Sequence, residues 1–174
     1  SKSRFFINRG VGGGTISPND NSNPHNLPSY MVKKGETESD FVKKIESARD
    51  KGNWLVLLYH TITPTEHVWY APVNIADITG SIEHTKNLND VWIDTVVDIG
   101  AYWRGQKAFN KSKVVENENE KVWKWELPDN FPENKYLRVK IDGGKLVQNG
   151  KELEWNSNGY YEISLDAEKL TLIK

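Results

Sequence analysis

The sequence predicts an α/β fold, a partial (β/α)-barrel-like parallel sheet with helices, followed by a small antiparallel β-sandwich-like module. Three observations predict it. The run Trp54-Leu55-Val56-Leu57-Leu58-Tyr59 is short and wholly apolar or aromatic, which suits a strand buried on both faces, as in a parallel sheet flanked by helices. Helical periodicity appears on both sides of that run. After about Lys107 the pattern changes to short strand-like runs separated by Asn-Gly and Asp-Gly pairs, which favour tight hairpin turns.

In chain order, residues 4–8 read as a short apolar strand, and the glycines from Gly10 to Gly14 then break regular structure. These glycines have neither the Lys-Ser/Thr of a phosphate-binding loop nor dinucleotide spacing, so they read as a flexible connection. Residues 15–35, with Pro18, Pro24 and Pro28, form a long irregular loop of the kind usually tied to function or mobility. Thr37 with Asp40 marks a helix start, because a hydroxyl caps exposed N–H groups and a carboxylate suits the positive end of the dipole. Phe41, Ile45 and Ala48 follow at helical spacing, and Gly52 supplies the stop.

The apolar strand at 54–60 comes next, ending in His60, and a loop over residues 61–74 carries His67, Trp69 and Tyr70. Ile75, Ile78, Ile82 and Leu88 define a second helix, weakened by Gly80. Residues 90–95 read as another strand, and Thr95 with Asp98 opens a third helix containing Ile99, Tyr102 and Trp103. Helices alternating with strands imply parallel strands joined by crossovers. With only two or three strands, that unit reads as incomplete.

The expected domains are residues 1–110 and 111–174, with the charged, Asn-rich stretch 111–121 as linker to the β module. Strands are expected at 122–126, 136–141, 145–148, 160–165 and 170–173.

The totals exclude several classes. Lys and Arg number 23 against 24 Asp and Glu, a net charge of −1, so no basic field exists to hold nucleic acid. No apolar window approaches the ~18 residues of a membrane span. Cysteine is absent, which removes disulfides, thiolate chemistry and Cys-based zinc sites while leaving the compartment open. The chain starts at Ser1 without Met or a leader pattern, so it is expected to be a processed or excised piece of something longer. Seven tryptophans suit either core packing or stacking on sugar rings.

His60 is the leading candidate residue, because α/β folds place chemistry at the carboxyl ends of their strands. The competing reading is a histidine that packs its ring and bonds a nearby carbonyl. His67, Trp69 and Tyr70 are candidates to line a groove beside it, whereas His25 and His84 read as solvated. No two histidines stand three to five residues apart, so no local two-histidine metal motif exists, and no metal ligand is assigned.

With Trp-Leu-Val-Leu-Leu-Tyr-His and Asp-Val-Trp-Ile-Asp-Thr-Val-Val-Asp-Ile-Gly-Ala-Tyr-Trp-Arg, the chain resembles the carboxyl-terminal part of a polysaccharide deacetylase domain over residues 4–106. Leu58-Tyr59-His60 is similar to the family's Leu-x-His motif, and residues 90–104 are similar to the last strand and helix of its distorted barrel. The β module resembles domains appended to some members. The resemblance implies metal-dependent hydrolysis of N-acetyl or O-acetyl groups on a glycan. In that chemistry a divalent metal, usually zinc, held by an Asp and two His, activates water, and a second Asp acts as base.

The resemblance makes His60 the general acid that protonates the departing amine, a role that needs a group titrating near neutral pH. Leu58 would shape the pocket for the acetyl methyl. It also implies an acetylated polysaccharide or oligosaccharide partner and a secreted or cell-surface setting. The family's metal-binding segments would lie amino-terminal to these residues, so this segment alone is expected to hold no zinc and to be inactive. The alternative is a non-catalytic carbohydrate-binding or cell-surface protein.

Overall fold

The structure is a computed structural model that describes residues 4–63 and 70–174. The chain forms two compact units, one of residues 7–96, termed the α/β unit, and one of residues 1–6 with 97–174, termed the β unit. The architecture is mixed α/β, with three helices and several small sheets among the described residues.

In the α/β unit, β1 (Tyr30–Met31) leads through α1 (Glu38–Asp50) to β2 (Leu57–Leu58), and β3 (Thr61–Thr63) precedes β4 (Pro72–Asn74) and α2 (Ile75–Lys86). β1 pairs β2 in parallel, with Tyr30 opposite Leu57, and β3 pairs β4 in parallel, with Thr61 opposite Pro72. For β1 and β2 the parallel sense follows from the crossover through α1. These are two separate two-stranded sheets, and no closed barrel is present among the described residues.

Local chemistry sets the helix ends. The Asp40 carboxylate accepts the Thr37 N–H at 3.0 Å, which fixes the α1 start. At the other end Gly52 takes φ +61, and the Gly52 and Asn53 N–H groups reach the Arg49 and Ala48 carbonyls at 2.8 Å each, a Schellman closure. The Asn74 side chain caps α2 by accepting the Ala76 N–H at 2.9 Å. Phe41 and Ile78 of the helices meet Val32 and Val73 in the core, with Tyr30 and Tyr59 packed around them.

The apolar run at 54–60 is not one doubly buried strand. Trp54 exchanges two 2.8 Å backbone bonds with Ile16, an antiparallel bridge, and only residues 57–58 join the parallel pair. Val56 alone in the run is fully buried. The run is divided because its backbone finds two different partners in turn.

Two other expected strands are absent. At residues 4–8, Asn8 bonds the Pro24 carbonyl and the Leu27 N–H, and the chain passes from one unit to the other after Phe6. Residues 90–95 form no strand, because side chains bond there locally. Asp94 accepts the Trp92 indole N–H at 3.1 Å and the Thr95 N–H at 2.7 Å, and Asp90 grips Arg49 with both carboxylate oxygens.

The β unit contains Phe6, nearly all of α3 (Val96–Asn110), and β5 (Lys113–Glu116), β6 (Glu120–Lys124), β7 (Tyr136–Val139), β8 (Lys145–Gln148), β9 (Lys151–Glu152), β10 (Trp155–Asn156), β11 (Tyr160–Ser164) and β12 (Lys169–Ile173). Two antiparallel sheets result, in the orders β5-β6-β12-β8-β9 and β10-β11-β7. Residues 111–121 are a hairpin entry and not an open linker, since β5 pairs β6 with Val115 opposite Val122. The β8–β9 turn uses Asn149 and Gly150 at φ +52 and +75, the left-handed pair that a tight hairpin requires.

Leu137 and Ile163 from the smaller sheet and Leu146 and Leu170 from the larger one share a core with Trp125 and Leu165. Buried Gln148 bonds within this unit with both ends of its amide. It donates to the Ser164 and Lys169 carbonyls at 3.0 and 2.9 Å and accepts the Ser164 N–H at 2.7 Å.

Candidate functional site

β2 ends at Leu58, which is half-buried, and His60 follows two residues on as an exposed side chain. The parallel pairing of β3 with β4 returns the chain beside it. The His60 and Tyr70 rings meet edge to face, with centroids 5.0 Å apart and planes at 84°, and the Thr61 hydroxyl donates to the Tyr70 carbonyl at 3.4 Å. Tyr70 is 66% exposed. Of the predicted site residues, Leu58, His60 and Tyr70 thus occupy one short stretch of the α/β unit. His67 and Trp69 lie outside the described residues.

The α/β unit also holds a polar network. Glu36 accepts the Tyr30 hydroxyl at 2.6 Å and the Lys33 N–H at 2.8 Å, and Lys44 stands 3.2 Å from the same carboxylate and 4.4 Å from the Tyr30 ring centre. Burial pushes the Glu36 carboxyl up, but the Lys33 N–H, the Tyr30 hydroxyl and Lys44 outweigh it and hold it below its ordinary value. Tyr59 packs edge-on against Phe41 at 5.8 Å, and burial, then the Glu36 charge, raises its phenol.

A cleft of about 130 Å³ opens near the carboxyl ends of β3 and β4. Thr63 and Asn74 end those strands, residues 34–37 form the facing loop, and Asp77 comes from the first turn of α2. Pro72 and Val73 are buried apolar residues in its wall. His60, Leu58 and Tyr70 are not among its lining residues. Of these residues the sequence marks only Thr37, as a helix start, because Thr63, Asn74 and Asp77 reach the cleft from separate parts of the chain.

The remaining histidines are dispersed. His84 pairs with Glu46 at 3.1 Å between the two helices, and His25 is half-buried in the long loop. Among the described residues no three His, Asp or Glu side chains converge where a cation could be held, so these residues do not fit the zinc that the deacetylase resemblance implies. No described helix is long and apolar enough to cross a membrane. In the β unit, Trp125 is core and Trp123 stacks on Phe109 at 6.3 Å, while Trp155 is 52% exposed and edge-on to Tyr161 at 4.9 Å.

No family model, no curated protein and no solved structure matches this chain.

Proposed function

We propose that the chain is the carboxyl-terminal part of a polysaccharide deacetylase-like domain with an appended β module, contributing to removal of acetyl groups from a glycan. The parallel pairs β1/β2 and β3/β4 would be fragments of the family's barrel-like sheet. The observation that carries the reading is the placement of Leu58-Tyr59-His60. The motif closes a parallel strand and leaves the imidazole solvent-accessible against Tyr70, where a donor to a departing amine belongs.

In this reading the His60 imidazolium gives a ring proton to the leaving nitrogen as the carbon–nitrogen bond breaks, and solvent returns the proton afterwards. Tyr70 limits the ring's rotation through its edge contact, and Leu58 offers apolar surface to the acetyl methyl. A divalent metal, for which the described residues offer no ligand set, would supply polarisation of the acetyl carbonyl and activation of water in the family's chemistry. The described residues supply no such centre, so this chain's part is proton delivery and substrate contact.

Titration of the isotopically labelled chain with the N-acetylglucosamine tetramer tests the reading by NMR. Shifts at the His60 ring, the Leu58 methyls and the Tyr70 ring are expected. Shifts confined to Trp155 and Tyr161 would replace it with the carbohydrate-binding alternative, and no shift at either place would remove both. In an active protein containing this segment, His60→Ala is expected to lower turnover about 10²- to 10⁴-fold with metal content unchanged. Loss of metal instead would assign His60 as a ligand.

A further inference from the structure

We infer that the outward face of the five-stranded sheet in the β unit binds a linear anionic polysaccharide carrying one carboxylate per sugar. The inference rests on that sheet alone, and neither His60 nor the deacetylase reading enters it.

Register assigns the face. Trp123, Leu146 and Leu170 belong to the core, so the residues before and after each of them along the strands turn outward. Lys113 stands opposite Lys124, and Lys124 opposite Lys169, which lines up three lysines across β5, β6 and β12. All three are exposed. Like charges placed directly opposite one another destabilise a sheet, and among the described residues no carboxylate pairs with any of the three. Glu120 and Glu126, on either side of Lys124 in the chain, are exposed and leave it unpaired. Other lysines of the β unit do find carboxylates, Lys121 and Lys174 at Glu116 and Lys145 at Glu152. A local rule broken without compensation inside the fold points to a functional surface.

The layout of the face selects the ligand. Strands lie about 4.8 Å apart, so the lysine row runs about 10 Å in a line and suits a chain of anionic groups better than a single ion. Two residues farther along the strands is a neutral row in register, Val115, Val122, Thr171 and Val147. A pyranose fits both rows, its C–H face on the neutral one and its carboxylate toward the lysines. Single-stranded nucleic acid calls for aromatic platforms, and among the described residues no aromatic ring of the five strands turns outward, since Trp123 packs on the core side. A membrane-bound face carries Trp, Phe or Leu anchors, which are absent here for the same reason. An extended acidic peptide would seek free backbone groups, and those lie at the sheet edges.

The test titrates the intact chain with the galacturonate hexamer by NMR and calorimetry. Its methyl-esterified form, polyglutamate, duplex DNA and phosphatidylserine vesicles are separate arms. Saturable shifts at the Val115, Val122 and Thr171 amides are expected with the acidic hexamer, weakening with added salt and absent with the ester. Replacing Lys113, Lys124 and Lys169 together by Gln should weaken binding about tenfold without lowering stability, because it removes repulsion. Replacing Lys43, Lys51 and Lys86, exposed lysines of the α/β unit, removes the same charge and should change affinity less than about twofold. Equal losses in the two triple variants would reduce the effect to net charge and overturn the site, as would silence at the three amides. Tighter binding of DNA, polyglutamate or vesicles at these amides would overturn the ligand class. If the row variant misfolds, Lys124→Gln alone decides, with a loss of about threefold expected and an unchanged affinity counting against the site.

Discussion

The two units solve the same problem of backbone satisfaction in different ways. The β unit joins strands of up to five residues into continuous antiparallel ladders, with β12 bonded on both sides. The α/β unit has strands of two or three residues, and much of its backbone is held by isolated bridges such as Ile16 to Trp54 and Arg9 to Leu27. A ladder shares its cost of ordering among many neighbours, whereas a bridge is secured mainly by the side chains packed around it. The α/β unit, which carries His60 and the cleft, therefore relies less on paired strands than the β unit does.

The largest expected effect tests where each unit keeps its stability. Phe41→Ala should cost about 3–5 kcal/mol and Leu165→Ala about 2–5 kcal/mol, as large-to-small changes at fully buried sites do. Phe41 and Leu165 are both 0% exposed. Denaturation followed at amides of each unit should show the first change lowering the transition of the α/β unit and the second that of the β unit. Equal movement of every amide in both variants would show one cooperative body and erase the distinction.

An intermediate effect belongs to Gln148. Replacement by Leu keeps much of the volume but strands the Ser164 N–H and the Ser164 and Lys169 carbonyls that now bond the amide. A loss of about 1–3 kcal/mol is expected from buried groups left unsatisfied, read by urea denaturation. A neutral result would mean that strand ladders alone hold this part of the β unit.

The smallest effect is a pH dependence confined to the α/β unit. Because the folded Glu36 carboxyl is held below its ordinary value, its contribution is present above the unfolded value, about 4.3, and fades as pH falls through the lower folded value. Glu36→Gln should flatten the acid limb of stability for the α/β unit and leave the β unit unchanged. On the alkaline side, burial pulls the Lys44 ammonium down, but its bonds to Glu36 and Tyr30 raise it overall. Its contribution is complete below the unfolded value and disappears as pH rises through the higher folded one. An acid limb as steep in Glu36→Gln as in the parent would remove this carboxylate from the account.

The same contrast explains what was readable in the sequence. Asn149-Gly150 and Asn158-Gly159 mark turns between β strands because glycine beside asparagine admits left-handed backbone locally, and Thr37, Asp40 and Gly52 mark the ends of α1 for equally local reasons. Residues 90–95 have strand-forming side chains, but no partner strand reaches them, and pairing is non-local information that Val91, Trp92 and Ile93 do not encode by themselves. His60 stands out because a histidine interrupts an apolar run. The cleft does not, because Thr63, Asn74 and Asp77 come to line one surface only after β3, β4 and α2 are assembled.

The burial of Phe6 within the β unit has a consequence for synthesis. Its ring is edge-on to Phe131 at 5.0 Å, with the Arg104 guanidinium 4.7 Å from its centre and also bonded to its carbonyl. All 90 residues of the α/β unit, 7–96, leave the ribosome before those partners exist. Closing a flexible loop of roughly 90 residues carries an entropy cost whose length-dependent part is about 4 kcal/mol. If the enclosed residues have already folded, that loop is a body with fixed ends and the late capture of Phe6 avoids most of the penalty. The α/β unit then acts as an internal template for finishing the chain, and a variant that delays its folding should slow the burial of Phe6 even when every contact in the β unit is unaltered.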